Sequence, residues 1–273
     1  REDTALLKKN HPEFSPAFLA YLENFKFEGE IFAIPEGSII FPMEPIIRVK
    51  APLIQAQIIE TTILSIVNHQ TLIATKAARI IEEARGDLVM EFGLRRAHGT
   101  EAGFYGARAA VIGGCAGTSV VETEQMLDRP AMGTMSHSFI LSYDSELEAF
   151  EKYVKYNPDN ATLLVDTYNT LEKGVPNAIK VFKKALAEGG ITGRYGIRID
   201  SGDLAYFSIE ARKMLDEAGL YDAGIVASSD LDEHLIKDLK SQGAKINSWG
   251  VGTKLITAYD CPALGGVYKL SVI

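Results

Sequence analysis

The sequence is poor in cysteine, tryptophan and histidine, with two, one and five of these residues in 273. Two cysteines, Cys115 and Cys261, make no disulfide framework, and no C-x-x-C or H-E-x-x-H spacing exists for structural zinc. Basic charge is not in excess: 28 Lys and Arg against 36 Asp and Glu leave a formal charge of -8. No basic stripe is visible, which argues against a nucleic-acid partner. No apolar run approaches the roughly 18 residues of a membrane span. No charged n-region precedes an apolar h-region. These absences predict a reduced, cytoplasmic protein with no membrane partner. A Walker loop is missing too; "GVGTK" supplies only half of one, and "GGCAG" has the wrong spacing for G-x-G-x-x-G. There is no internal repeat and hence no solenoid.

What is present is ordinary globular composition, 47% hydrophobic and 23% charged, enough for one large core or two unequal domains. Residues 25–50 read as short β-type runs. Pro35, Pro42 and Pro45 demote them to short or edge strands. Residues 53–84 repeat apolar side chains at helical spacing without a proline, predicting one or two long helices. Beyond them, seven short apolar runs each end in a polar or glycine-rich cluster: 87–96, 109–119, 131–138, 161–170, 194–203, 223–230 and 245–253. Helical segments closed by glycine separate several of them. This α/β alternation predicts a parallel sheet. Seven units fit a closed or nearly closed α/β barrel, with an open doubly wound sheet as the alternative. The chain begins "REDTALLKKN" and stops at a strand-like "GGVYKLSVI", so a piece of a longer polypeptide is expected.

In such a barrel the chemistry lies at the C-terminal ends of the strands. Those ends carry Arg95 and Arg96, Thr118 and Ser119, Thr134 and His137, Asp166 and Thr167, Arg198 and Asp200, Ser229 and Asp230, then Gly250, Gly252 and Thr253. Arginines, carboxylates, hydroxyls and glycines together suit a phosphorylated, polyhydroxylated substrate. Arginine grips phosphate or carboxylate with a planar fork, and glycine turns let backbone N–H groups approach a phosphate. Each group also has a structural reading. Asp230 with Glu233 looks like a capping-box variant. Asp200 and Asp203 in "DSGD" could be turn residues. His98 and His234 are expected to face solvent, and His69 to pack or hydrogen-bond on a helix. His137, in "AMGTMSHSFI", is either a site residue or a helix-entry residue, and its spacing does not choose between them.

Taken together, "EFGLRRA", "GTMSHS", "LVDTYNTLEKGVPNAI", "GIRIDSGDLAY", "ASSDLDE" and "WGVGTKLITAYDCPALGGVYKL" resemble nicotinate phosphoribosyltransferase, from about residue 25 to the end. The resemblance implies the type II phosphoribosyltransferase fold. That fold is an irregular, about seven-stranded α/β barrel (residues 85–273), preceded by part of an α/β sandwich domain and connecting helices (1–84). It implies an ATP-coupled, ligase-type enzyme of NAD biosynthesis. Nicotinate and 5-phosphoribosyl 1-diphosphate would give nicotinate mononucleotide and diphosphate. The partners implied are these substrates, ATP and a second copy in a homodimer with shared active sites; Mg²⁺ is the implied cofactor, with unknown ligands. By motif, His137 is the residue phosphorylated by ATP and Asp200 faces the ribose hydroxyls. Thr134 and Arg198 resemble the nicotinate contacts, Arg198 as a bidentate grip. Arg95 and Arg96 resemble the diphosphate side. Thr118 is a substrate-binding candidate, and Ser229 and Asp230 line the phosphoribosyl pocket. Gly250, Gly252 and Thr253 form the 5-phosphate loop. The family's opening segment, whose tyrosine stacks on the pyridine from the partner subunit, finds no counterpart. Related readings are a nicotinamide or quinolinate phosphoribosyltransferase, or a truncated, non-catalytic barrel that binds phosphate ligands.

Overall fold

The computed structural model describes residues 2–128 and 130–273. It divides into one unit of residues 1–65 with 266–273, and a second of residues 66–265. In the first, α1 (Glu2–Asn10) and α2 (Pro16–Glu23) precede an antiparallel pair, β1 (Glu30–Ala33) with β2 (Ile47–Lys50). Ser15 caps α2 by accepting the N–H of Phe18 at 3.2 Å, and Pro16 takes the first turn, where no N–H is needed. The three expected strand-breaking prolines all fall in the connection between β1 and β2. The region predicted as one or two helices is one, α3 (Leu53–Ala84), and the unit boundary falls within it.

The second unit holds the sheet. Strands β3 (Leu88–Glu91), β4 (Gly117–Thr118), β5 (Asn160–Leu164), β6 (Arg194–Ile199), β7 (Gly224–Ala227) and β8 (Ser248–Val251) lie in the order β4-β3-β8-β7-β6-β5, every pair parallel. The result is a curled half-barrel, so the α/β barrel class holds. The connecting helices are α4 (Thr100–Ile112), α5 (Glu124–Leu127), α6 (His137–Leu141), α7 (Glu146–Tyr156), α8 (Val175–Ala187), α9 (Leu204–Glu217), α10 (Glu233–Ser241) and α11 (Thr253–Ile256). Glycines 189, 219 and 243, at φ +66°, +80° and +81°, follow α8, α9 and α10. This is the left-handed position that ends a helix cheaply only with glycine.

Among the described residues, six strands form where seven units were read. The third unit, 131–138, is an irregular segment running into α6. Met132 N–H donates to Thr118 O at 2.8 Å, one ladder-like bond to β4. Pro130 has no N–H to donate, and Thr134 and Met135 O are taken by an arginine. The polar groups of this stretch are therefore used on a side chain, not on a neighbouring strand. The second unit, 109–119, contributes only two strand residues, because its first residues finish α4.

Helices and sheet enclose a core in which Trp249, Phe150, Phe182 and Leu215 are fully buried. Each such side chain contributes about 1.5–3 kcal/mol by leaving water. The indole of Trp249, the only tryptophan, also donates to Asp87 Oδ2 at 2.9 Å, so its polar end is satisfied. Because the strands are parallel, their C-terminal ends share one mouth. No helix among the described residues is long and apolar enough to cross a membrane.

Candidate functional site

Arg198, on β6, is the hub of the mouth. Its Nε donates to Ser228 Oγ at 2.8 Å, after β7. Its Nη1 donates to Thr134 Oγ1 at 2.8 Å and to Met135 O at 3.3 Å, on the irregular segment. Its Nη2 donates to Asp200 Oδ1 at 3.0 Å. A guanidinium has five N–H donors, so four are engaged and one Nη2–H is left. Ser228 also donates to Asp200 Oδ1, in a very short contact. Thr134 accepts from Arg198 and keeps its own hydroxyl proton to give. Asp200 keeps Oδ2 to accept.

The same network reaches His137. Asp166 follows β5, and its side chain is only 1% exposed. Its Oδ2 accepts the Asp200 N–H at 3.0 Å and the Ser201 hydroxyl at 2.5 Å. Its Oδ1 lies 3.3 Å from His137 Nε2, within charge-pairing range. The two are not aligned as a hydrogen bond, and Oδ1 accepts none. His137 is the first residue of α6, but Ser136 does the capping, its Oγ accepting the Phe139 N–H at 3.3 Å. The helix-entry role therefore belongs to Ser136, and the imidazole is free for the mouth.

On the β3–β8 side, Glu91 ends β3 and is fully buried. Its Oε2 accepts the Thr118 hydroxyl at 2.6 Å, and its Oε1 makes a very short contact with the Gly93 N–H. Burial raises its carboxyl above the usual value, and these two hydrogen bonds oppose the rise. Thr118 is itself buried, with its hydroxyl turned to Glu91. Glu91 thus ties the loops after β3 and β4 together. Arg95 and Arg96, in the short 3₁₀ turn beyond Gly93, are exposed and make no side-chain hydrogen bond among the described residues. Gly250 is packed under Phe92: an added Cβ would meet that ring at 2.8 Å. Gly252 and Thr253 turn the chain from β8 into α11. Cys115, the buried cysteine, is no nucleophile; burial, then the charge of Glu91, pushes its thiol up to about 12.

Ser229 and Asp230 follow β7, exposed and at φ +98° and +43°. Non-glycine residues in this region cost about 1–3 kcal/mol each and cluster at functional sites. The capping reading of Asp230 is corrected: the cap of α10 is Asp232, whose Oδ1 accepts the Leu235 N–H at 2.8 Å. Asp232 Oδ2 pairs with Lys254 at 2.6 Å. Burial alone would raise its carboxyl, but Lys254 and the Leu235 N–H lower it on balance. Glu233, the supposed box partner, is buried against Lys76 at 2.8 Å. Asp203 caps α9, its Oδ1 accepting the Tyr206 N–H at 3.0 Å, so only Asp200 of the "DSGD" pair joins the mouth. His98 and His234 are exposed and His69 is half-buried on α3, as expected.

Three participants had no role assigned from sequence. Asp166 was visible only as a strand-end acid in "VDTYN". Ser228 and Glu91 carried no signal, since their roles come from burial and from the register of neighbouring strands.

Comparison with known proteins bears on this arrangement. Residues 1–68 match the family model described as nicotinate phosphoribosyltransferase (NAPRTase) N-terminal domain, so the likeness also covers the residues before 25. The chain is 55% identical over 242 residues to the nicotinate phosphoribosyltransferase of Bacillus subtilis (strain 168), covering 89% of this chain and 49% of that protein. It thus spans about half the length of the curated relatives it matches. The crystal structure of human nicotinic acid phosphoribosyltransferase superposes with a TM-score of 0.79 at 29% identity, over 92% of this chain and 61% of that one. NadC from Streptococcus pyogenes superposes at 0.60 with 15% identity, over 88% and 74%, a likeness of fold alone.

Proposed function

We infer that this chain, which belongs to the nicotinate phosphoribosyltransferase family, carries the site that joins nicotinate to 5-phosphoribosyl 1-diphosphate, releasing nicotinate mononucleotide and diphosphate. One observation supports the reading above the others: Arg198 is fixed by four hydrogen bonds beside Thr134, Asp200 and Ser228, and the network continues through Asp166 to His137.

The donor count refines how nicotinate is held. A bidentate grip by Arg198 alone would displace one of its partners. The free Nη2–H and the Thr134 hydroxyl proton offer the two donors instead, one charged and one neutral. A hydrogen bond to a charged group is worth roughly 1.5–3 kcal/mol, one to two decades of preference for carboxylate over amide. In the transfer, the C1–O bond to diphosphate breaks and a C1–N bond to the pyridine nitrogen forms. The ribosyl group is cationic in passing, so positioning and electrostatics carry the catalysis. Asp200 Oδ2 is the acceptor for a ribose hydroxyl. Arg95, Arg96 and the Gly250–Thr253 turn face the diphosphate and the 5-phosphate, with Ser229 and Asp230 beside them and Thr118 holding the β4 end in place.

ATP coupling belongs to the same proposal. Asp166 stands against Nε2 of His137, leaving Nδ1 as the nucleophile toward the γ-phosphate. An N–P bond forms, the bond to ADP breaks, and the proton on Nε2 meets the Asp166 carboxylate. Among the described residues no three metal-binding side chains gather to cage a cation. Mg²⁺ would therefore travel on the diphosphate, neutralising its charge, with Asp200 and Asp230 reaching it through water. A homodimer with shared sites remains part of the proposal and is read by sedimentation.

The test is direct. Incubation with ATP should give an acid-labile, base-stable phosphate on His137, and nicotinate with the ribosyl donor should then give mononucleotide. Absence of both would sink the reading; equal product from nicotinamide would sink the nicotinate preference. His137→Ala should retain slow transfer and lose its stimulation by ATP. Asp166→Asn should phosphorylate about tenfold more slowly, because the carboxylate charge beside His137 Nε2 is lost.

A further inference from the structure

One face of α3 buries Ile73, Ala77 and Ile80, and Lys76 stands on the same face, only 5% exposed. A buried ion pair is seldom worth more to stability than apolar side chains in its place, so stability alone does not account for a lysine there. Its Nζ donates to Glu233 Oε1 at 2.9 Å, with Glu233 Oε2 and Asp260 Oδ1 each at 2.8 Å. An ammonium has three N–H donors, so these oxygens occupy it and nothing is left for a ligand. Burial alone would lower the pKa of the ammonium, but Asp260 and Glu233 raise it on balance, and the charge persists at neutral pH. The two acids come from different places. Glu233 opens α10, three residues beyond Asp230, and Asp260 lies in the turn after α11, whose first residue is Thr253. Asp232, beside Glu233, makes a second and more exposed link to Lys254 of α11. Arg79, about one turn along α3, lies 3.7 Å from Asp260 Oδ2.

We propose that Lys76 is a positioning residue for the ribosyl donor: it ties α10 and the turn after α11 to α3, and so fixes the Ser229–Asp230 and Gly252–Thr253 turns that lead into those helices. The role rests on the transferase reading for what the two turns bind. Backbone strain supports it. Ser229, Asp230 and Ala258 have φ of +98°, +43° and +42°. Non-glycine residues persist at such angles only where the surroundings over-determine the backbone. Ser229 and Asp230 lie between β7 and Glu233, and Ala258 lies between α11 and Asp260. One buried ammonium therefore anchors the far end of both strained stretches. An apolar contact in its place could slide, whereas charge-assisted hydrogen bonds lose strength with both distance and direction.

Three variants test the assignment: Lys76→Met, Lys76→Met with Glu233→Met, and Asp260→Asn. Each is read by the KM of both substrates, by Tm, and by amide hydrogen exchange at residues 229–231, 252–258 and 131–136. Lys76→Met should raise the KM of the ribosyl donor about tenfold, the scale for a residue that acts without touching the ligand. The nicotinate KM should stay unmoved. Exchange should quicken at 229–231 and 252–258 but not at 131–136, beside Arg198. Tm should fall, because Glu233 is left buried without its cation. The double variant removes both charges, so it should recover Tm while the donor KM stays raised and both turns stay loose. Asp260→Asn, at a part-exposed residue, leaves the buried pair intact and carries the test if Lys76→Met does not fold. It should quicken exchange at 252–258 alone and raise the donor KM by a smaller factor. A donor KM that recovers together with Tm in the double variant would overturn the proposal and leave Lys76 a structural residue. Equal rises in both KM values, or loosening that extends to 131–136, would overturn it too. Exchange is read without turnover. Loosening of the two turns alone in variants of an inactive parent removes the transferase reading only; an active parent whose variants show neither loosening nor a changed donor KM removes the role of Lys76 only.

Discussion

On the β5–β6–β7 flank of the mouth, Arg198 has four hydrogen-bonded partners; on the β3–β8 flank, Arg95 and Arg96 have none among the described residues. The first flank is complete before any substrate arrives. Its side-chain ordering is part of folding, so a ligand meets groups already aimed. The second flank presents exposed cations and a glycine turn, and lacks the negative charge that would order them. The difference fits two kinds of recognition. A small planar ring with one carboxylate needs geometry, while a phosphate or diphosphate carries enough charge to organise its own donors.

Removing the hub should break the comparison most severely. Arg198→Ala leaves Asp200 without its cation, and Thr134 and Ser228 without their donor. We expect the nicotinate KM to rise by one to two decades, from roughly 1.5–3 kcal/mol per charged hydrogen bond. The KM of the ribosyl donor should move much less. Equal increases in both would mean that the flank is a folding element and not a binding one. Arg198→Lys should rescue little, because an ammonium cannot reach Ser228, Thr134 and Asp200 together.

Glu91 tests the other flank, where order comes from a buried carboxylate instead of a cation. Its two oxygens accept from two different loops. Glu91→Gln has one acceptor and turns an amide NH₂ toward the second donor, at a cost of about 1–3 kcal/mol. Burial raises the folded-state value of Glu91, so the native state holds its proton more tightly than the unfolded chain does. Its contribution to stability is then fully present in acid and falls as pH rises through the raised value. Glu91→Gln does not titrate. Its deficit in urea midpoint should be larger near about pH 4 than near about pH 7. A deficit that grew with pH would show that Glu91 is stabilised as the anion.

These residues also show what could be read from the chain alone. The strand-end set was legible because short apolar runs end in polar clusters, and parallel strands bring those ends together. Helix ends were legible for a local reason: glycine at positive φ, serine or aspartate before a first turn. The irregular segment 131–136 was misread as a strand because its hydrophobic pattern is local, whereas its partner, Arg198, is more than sixty residues away. Glu91 and Ser228 were silent, since neither burial nor the register of β3 on β4 and of β6 on β7 is encoded nearby. Asp230 and Asp232 were interchanged because either one satisfies a capping pattern, and only the backbone decides which side chain points at the helix.

That interchange gives a smaller test. Asp232→Ala removes the cap of α10 and the partner of Lys254, and should cost about 1 kcal/mol, read as a lower Tm. Asp232→Asn should recover most of it, since asparagine caps as well and the part-exposed ion pair adds little. Asp230→Ala should leave Tm nearly unchanged and lower activity. The reverse pattern would restore the cap to Asp230 and remove it from the phosphoribosyl pocket.

The smallest expected effect is at Ser229, and it separates stability from function in the turn after β7. At φ +98° its backbone is strained for any residue with a side chain. Ser229→Gly relieves that strain in the folded state but loosens the unfolded chain by about 0.4–1 kcal/mol. The relief, about 1–3 kcal/mol, matches or exceeds that loss, so Tm should stay level or rise. If the strained turn holds donors toward the ribosyl phosphate, the glycine variant should raise the KM of the ribosyl donor while leaving that of nicotinate alone. A change confined to nicotinate would assign Ser229 to the pyridine side of the mouth, with Arg198. A level Tm with both constants untouched would mean that its strain serves the chain reversal alone.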